Sequence, residues 1–150
     1  SCRNFHLKYQ RQLFMHGASN RFLVHLGEGD PEKLCQQLHG ADGVLLVQED
    51  DEVDAFVRIF NADGSEAEQC GNGLRCVALH LVRSKLVEKN ELAIRTLAGV
   101  SQCVVREDCN EVEVSLCIPI VESCADSSLA NLLKRSGNLF CRTAMRWASI

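Results

Sequence analysis

One helix most constrains the fold of this chain, because its pattern is apolar around most of its circumference. Apolar residues recur at helical spacing at Leu74, Val77, Ala78, Leu81 and Val82. Cys76 and Leu79 widen this face beyond a single stripe. A helix of this kind is buried on several sides, so we expect the rest of the chain to wrap around it.

Most of the remaining chain consists of short segments with strand character, bounded by turns. The pattern predicts a second helix through Leu34 and Leu38, and strands at 5–9, 22–26, 44–48, 55–60, 92–96, 100–105 and 112–118. The connections between strands are short, which favours antiparallel pairing. We therefore expect an α+β fold in which a mostly antiparallel sheet surrounds one apolar helix.

The character of the sequence changes after Pro119. Residues 120–150 show no strand alternation, and their only helical indication is Leu129, Leu132 and Leu133. The strands and the central helix all precede this point. We therefore expect residues 1–119 to form one lobe. Residues 120–150 are a tail to which we assign neither a fold nor a function.

Composition argues against several classes of partner. The chain has 150 residues, of which 46% are hydrophobic and 24% are charged, the balance of a globular protein. A net charge of −4 and an aromatic content of 5% argue against a nucleic-acid partner. No apolar run reaches the roughly 20 residues that cross a bilayer, so no membrane partner is expected. Association into a homo-oligomer stays open.

Nine cysteines are many for this length, and an odd number cannot all pair. No Cys-x-x-Cys spacing occurs, so neither a zinc site nor a thioredoxin-type motif is supported, and no metal ligands are predicted. The N-terminal residues lack the pattern of a secretory signal, so we expect reduced thiols in a cytoplasmic protein. Most of the cysteines are then expected to be small buried hydrophobic residues.

One cysteine stands in a different context, at the entrance of the central helix. Cys70 precedes Gly71, Asn72 and Gly73. The first backbone N–H groups of a helix have no partners inside it, and together with the helix dipole they form an anion site. The same field favours the reactive thiolate over the thiol. The segment thus places a potential base beside a potential carboxylate-binding site. The alternative is that Cys70 is a buried structural thiol.

A long contiguous segment resembles a known family. The sequence IFNADGSEAEQCGNGLRCVA (59–78) is similar, nearly residue for residue, to the motif of the diaminopimelate epimerases. Three shorter segments also resemble that family, namely MHGASNRF (15–22), GADGVLLV (40–47) and TLAG (96–99). The resemblance covers residues 5–119, the extent of the first lobe in that family.

The resemblance implies an isomerase of two similar lobes, each a sheet around a central helix, with the substrate between them. One cysteine thiolate removes the α-proton of diaminopimelate, and a cysteine of the other lobe returns a proton to the opposite face. This interconverts the LL and meso isomers, which serve lysine and peptidoglycan precursor synthesis, without pyridoxal phosphate or a metal. By position, the resemblance implies that Cys70 is the catalytic cysteine. It also implies that the substrate is bound by Asn20, Asn61, Gly71 and Asn72.

The chain also departs from the family pattern. The family has glycine at the position of Ser19 and aspartate at the position of Arg21. No counterpart of the second lobe is visible, and neither Cys124 nor Cys141 is followed by glycine. We therefore expect a truncated first half without epimerase activity of its own. Two alternatives stay open: a non-catalytic truncated or frameshifted product that keeps the lobe fold, and another isomerase of the same two-lobe fold with a different substrate.

Overall fold

The computed structural model describes residues 12–108 and 110–115 in full, and residues 141–147 through their backbone. The elements of this part of the chain are, in order, β1 (Gln12–Gly17), β2 (Asn20–Leu26), α1 (Pro31–Cys35), β3 (Gly43–Gln48), β4 (Ala55–Asn61), β5 (Glu66–Ala67), α2 (Gly71–Arg83), β6 (Glu91–Thr96), β7 (Gly99–Arg106), β8 (Glu111–Ser115) and β9 (Cys141–Trp147). No helix among these residues is long and apolar enough to cross a membrane.

The strands form one sheet in the order β3-β2-β1-β9-β8-β7-β6-β4-β5. An additional pairing of β3 with β4 joins the two sides of the sheet, so that it curls around α2. The β2–β3 and β4–β6 pairings are parallel, and the other pairings of the described strands are antiparallel. The predicted α+β class, with a largely antiparallel sheet around an apolar helix, is confirmed.

The helix α2 forms the centre of the main hydrophobic core, because every residue from Gly73 to Val82 is buried. Its leucines share this core with inward-facing residues from the surrounding strands, including Met15, Val24, Leu45, Ile94 and Val112. Complete burial of one such side chain stabilises the fold by about 2 kcal/mol. The helix is therefore held around its circumference, and this fixes the position of its N-terminal turn relative to the sheet.

A second hydrophobic cluster covers the outer face of β3. The strand directs Leu45 and Val47 into the main core and places Val44 and Leu46 in the outer cluster. The helix α1 contributes Leu34 to the outer cluster. Because both faces of β3 are covered, the sequence of this strand is a continuous apolar run.

The helix α1 is shorter than the sequence pattern predicts. Its start follows the expected chemistry, since the Asp30 side chain accepts a hydrogen bond from Glu32 N at 3.0 Å and proline opens the helix. It ends at Cys35, whereas the prediction extended it through Leu38. Leu38 is buried in the outer cluster all the same, so its apolar character reflects packing beyond the helix end.

Six predicted strands are confirmed as β2, β3, β4, β6, β7 and β8, with small shifts of their ends. The predicted strand at 5–9 and the predicted extension at 116–118 lie outside the described residues. The strand β1 was not predicted, because Phe14 faces the outer cluster while Leu13 and Met15 face the main core, which hides the alternation. The two-residue strand β5 is too short to show a pattern.

The strand β9 corrects the sequence analysis, which found no strand pattern in residues 120–150. Its sequence CRTAMRW lacks strict alternation, so periodicity does not reveal it. Its backbone pairs with β8 on one side and β1 on the other. Part of the unassigned tail therefore belongs to the sheet that surrounds α2.

Candidate active site

Cys70 occupies the N-cap position of α2 in an extended conformation, with φ −151° and ψ 108°. Helix N-caps are usually serine, threonine, aspartate or asparagine, whose side-chain oxygens bond the exposed N–H groups. The Cys70 side chain makes no such bond. It is half-buried and packs in part against the main core. The thiol is thus positioned by the helix but is not used to cap it.

The first turn of α2 presents open backbone donors. Leu74 N donates to Cys70 O at 3.0 Å, which closes the first turn. Among the described residues, no acceptor is bonded to the backbone N–H groups of Gly71, Asn72 or Gly73. Adjacent donors at the positive end of a 13-residue helix suit a carboxylate. The expected anion site therefore has the backbone groups that it requires.

Gly73 has a packing role that the sequence analysis did not identify. A Cβ atom at this position would lie 2.7 Å from Leu45 Cδ2. Both residues are buried between α2 and β3. Glycine therefore lets the beginning of the helix approach the strand closely.

Asn72 connects α2 to the hairpin formed by β1 and β2. Its Nδ2 donates to Asn20 Oδ1 at 2.8 Å, and its Oδ1 accepts from Arg75 Nη1, also at 2.8 Å. Asn20 is the first residue of β2, where it pairs with Gly17 across the hairpin turn. Two of the predicted substrate-binding residues, Asn20 and Asn72, are therefore in direct contact beside the N-terminus of α2.

Asn61 is the last residue of β4 and is exposed. Its Nδ2 donates to Ser65 Oγ at 3.0 Å, and its backbone N–H donates to Ser65 O at 2.8 Å. The side chain is thus held by the turn that follows β4. Among the described residues, no hydrogen bond joins Asn61 to Cys70, Asn20 or Asn72.

Strand register nevertheless brings Asn61 to the same end of the sheet as Asn20. Gly43, the first residue of β3, pairs with Phe22 of β2 on one side and with Asn61 on the other. Two spacings between neighbouring strands correspond to about 10 Å. The predicted site residues therefore lie at the same end of the sheet. Asn20 and Asn72 are in contact there, and Asn61 lies two strands away from Asn20.

Three other described thiols lie in environments unlike that of Cys70. Burial raises the pKa of Cys76 to about 12 and the pKa of Cys103 to about 12, and both are fully buried. Cys35 is half-buried, and burial together with the Asp63 carboxylate raises the pKa of its thiol. The interpretation of Cys76 as a structural core residue is confirmed by its complete burial.

We expect iodoacetamide to label Cys70 before Cys35, Cys76 and Cys103. The reason is that Cys70 is partly exposed at a helix N-terminus, whereas burial keeps Cys76 and Cys103 protonated and inaccessible. Mass-spectrometric mapping of the folded chain after brief alkylation measures the order, and labelling after denaturation provides the control. Earlier labelling of Cys35 than of Cys70 in the folded chain would contradict the assignment.

Arg21, a departure from the family pattern, has a structural role. Its guanidinium lies over the Phe14 ring, 4.3 Å from the centroid, and its Nη1 donates to His39 O at 3.1 Å. Its backbone N–H donates to Asp42 Oδ2 at 2.8 Å. These contacts hold the start of β2 against the turn that precedes β3, and they therefore support the edge that carries Asn20.

Arg75 is the residue of this site that the sequence analysis left without a role. It is 4% exposed and lies one helical turn after Asn72, on the same side of α2. The signal was present in the sequence, because Arg75 is the one charged residue in the first half of the helix. A buried cation needs a polar neighbour, and Asn72 provides one.

A separate cleft of about 640 Å³ opens between α1 and the turn at 62–64. Its lining includes the acidic residues Asp30, Glu32 and Asp63 and does not include Cys70. Among the described residues, no group of three or more histidine, cysteine, aspartate or glutamate side chains is arranged to hold a metal ion.

Comparison with known proteins identifies relatives of the chain. Residues 31–118 match the family model described as diaminopimelate epimerase. The diaminopimelate epimerase of Halothermothrix orenii is 47% identical over 98 residues, which cover 57% of this chain and 34% of that protein. The enzyme of the same name from Caldanaerobacter subterraneus is 42% identical over 120 residues, covering 73% of this chain and 44% of that protein. The chain thus spans less than half the length of these relatives.

Solved structures share the fold at lower identity. A phenazine biosynthesis protein of the PhzF family from Bacillus anthracis has a TM-score of 0.58 and 20% identity, covering 69% of this chain and 39% of that one. A hydroxyproline epimerase from Agrobacterium vitis has a TM-score of 0.56 and 21% identity, covering 73% of this chain and 43% of that one. Because the family model matches more than half of the residues of this chain, and because a curled sheet surrounds a helix that begins directly after Cys70, the chain belongs to the diaminopimelate epimerase family.

Proposed function

We propose that this chain forms one half of the active site of a diaminopimelate epimerase, an isomerase that interconverts LL- and meso-diaminopimelate without pyridoxal phosphate. One observation carries the proposal. The half-buried Cys70 thiol makes no capping hydrogen bond, and it lies beside three backbone N–H groups at the start of α2 that have no acceptor among the described residues. A base therefore lies next to an anion-binding site. The names of the relatives support the substrate.

In the proposed reaction, the α-carboxylate of the substrate binds the N–H groups at Gly71, Asn72 and Gly73. These donors stabilise the negative charge that develops when the α-proton leaves, and stabilisation specific to the transition state is what accelerates the step. The Cys70 thiolate takes the proton in one direction, and the Cys70 thiol returns it in the other. The side chains of Asn20, Asn61 and Asn72 supply further polar contacts to the substrate.

Inversion needs a second acid or base on the opposite face of the α-carbon. Burial raises the pKa of both Cys76 and Cys103 to about 12 and encloses both thiols in the main core, so neither can exchange protons with a substrate. We propose that a second cysteine outside the described residues, in the other half of a two-lobed enzyme, supplies this group. The length of the relatives supports that division.

We also propose that the protein works in the cytoplasm, in the synthesis of lysine and of peptidoglycan precursors. The four cysteines whose side chains the structure describes are free thiols, which suits a reducing compartment. The biosynthetic role follows from the names of the relatives.

A titration of the ¹⁵N-labelled chain with LL-diaminopimelate tests the proposed site. We expect the largest changes in amide chemical shift at Gly71, Asn72 and Gly73, because a carboxylate that accepts hydrogen bonds perturbs its donors most strongly. Cadaverine, which has the amino groups but no carboxylates, is the control and should leave these amides unchanged. Changes confined to the acidic cleft beside α1 would refute the proposed site, whereas equal responses to trans-4-hydroxyproline would favour another isomerase of the fold.

A further inference from the structure

We infer that Arg75 is a positioning residue that orients the Asn72 side-chain amide and, through it, presents the Asn20 Nδ2 group as a hydrogen-bond donor toward an anionic substrate group. The inference rests on the proposed function, since it concerns the same site. Arg75 itself is buried behind Asn72 and acts through it.

An arginine side chain has only donors, so the Asn72 atom that faces Arg75 Nη1 at 2.8 Å must be its oxygen. The Asn72 nitrogen must then face Asn20, and the Asn20 atom that meets it at 2.8 Å must be an oxygen. The oxygen and nitrogen of a free amide can exchange places by rotation. Here one charged group determines the orientation of two amides, first that of Asn72 and through it that of Asn20.

Asn20 lies at the end of this chain of hydrogen bonds. With its Oδ1 occupied by Asn72, Asn20 has its Nδ2 group left to offer, and among the described residues no acceptor is bonded to that group. Asn20 is partly exposed at the beginning of β2. Its free donor therefore adds to the open N–H groups of α2, and an array composed of donors selects an anion.

The location of the charge supports this role. A cation near the N-terminus of a helix opposes the helix dipole, and burial of a charge is costly. The helix dipole therefore does not explain an arginine at this position, whereas its positive charge suits a site that attracts a carboxylate.

Alkylation of Cys70 with two reagents tests the inference. Iodoacetate carries a carboxylate and iodoacetamide does not, so the ratio of their rates at Cys70, relative to the ratio for N-acetylcysteine, measures attraction of an anion. We expect Arg75→Met to lower this ratio about tenfold, the effect of losing a charge-assisted contact, with little change in the iodoacetamide rate. Arg75→Lys should keep most of the ratio, because an ammonium group also only donates. Arg83→Met, which removes the same charge at the other end of α2, is the matched control and should leave the ratio unchanged.

Two results would overturn the inference: an unchanged ratio in Arg75→Met, or an equal fall of both rates, which a purely structural role would produce. If thermal unfolding shows that Arg75→Met does not fold, Arg75→Gln replaces it, and the same fall is expected because glutamine can present either a donor or an acceptor. Absence of iodoacetate enhancement in the unmodified chain would instead count against the proposed carboxylate site. Enhancement that survives removal of Arg75 would overturn the positioning role alone.

Discussion

Incubated alone with LL-diaminopimelate in deuterated water, a protein of these 150 residues is expected to produce no meso isomer. Inversion requires proton-transferring groups on both faces of the α-carbon, and the described residues supply Cys70 on one face. The other described core thiols, Cys76 and Cys103, are enclosed, and burial raises the pKa of each to about 12. Chiral chromatography of the recovered amino acid measures the outcome.

A diaminopimelate epimerase of full length is the positive control for this assay, and it should convert the same substrate under the same conditions. Substantial formation of meso product by the 150-residue chain would contradict the expectation. It would show that the chain, or an oligomer of it, supplies a second acid on the opposite face. Dilution of the protein would then separate these two sources, because an oligomer loses activity per chain as the concentration falls.

Replacement of Gly43 with alanine is expected to destabilise the fold by about 3 kcal/mol, a large effect for a single methyl group. A Cβ atom at this position would overlap the backbone carbonyl oxygen of Phe60 on the neighbouring strand. A carbonyl in a paired strand cannot move without opening the β3–β4 pairing, which is the pairing that closes the sheet. Asn61 is the register partner of Gly43, so the same displacement would disturb a predicted substrate contact.

Gly64→Ala is the matched control for this prediction. Gly64 has a φ of +88°, and no atom outside Gly64 and its two chain neighbours lies within 4 Å of the point that a Cβ would occupy. Alanine there therefore incurs the backbone cost of about 1 kcal/mol and no overlap. Urea unfolding followed by circular dichroism gives the free energy of unfolding of both variants and of the unmodified chain. A loss in Gly43→Ala no greater than that in Gly64→Ala would show that β3 and β4 can separate at this point at little cost.

The central helix and most of the strands could be predicted because each has a periodicity that burial imposes. In α2, the apolar residues that define the pattern are the residues that fill the core. Alternation fails for β1, where the consecutive residues Leu13, Phe14 and Met15 are all buried, and for β9, whose pairing depends on distant strands. The strand β3 is also covered on both faces and was predicted from its short apolar run. The end of α1 at Cys35 was also missed, because the apolar spacing continues to Leu38, which packs into the outer cluster beyond the helix end.

For the candidate site, sequence alone indicated the N-terminal context of Cys70 and the family to which the motif belongs. It could not show that Asn72 bonds to Asn20, because these residues are 52 positions apart and meet through the packing of α2 against the β1–β2 hairpin. It also gave no role to Arg75, whose importance depends on which atom of Asn72 it contacts. Contacts of this kind follow from the assembled sheet and not from any local pattern.

The most direct measurement of the central claim is the α-deuterium content of LL-diaminopimelate after incubation with the chain in deuterated water. If Cys70 is the base on one face, the unmodified chain should introduce deuterium slowly at the α-carbon with retention of configuration, and Cys70→Ala should introduce none. Cys35→Ala, which removes a half-buried thiol outside the site, should match the unmodified chain. Equal deuterium incorporation by Cys70→Ala and the unmodified chain would contradict the assignment of Cys70 as the base.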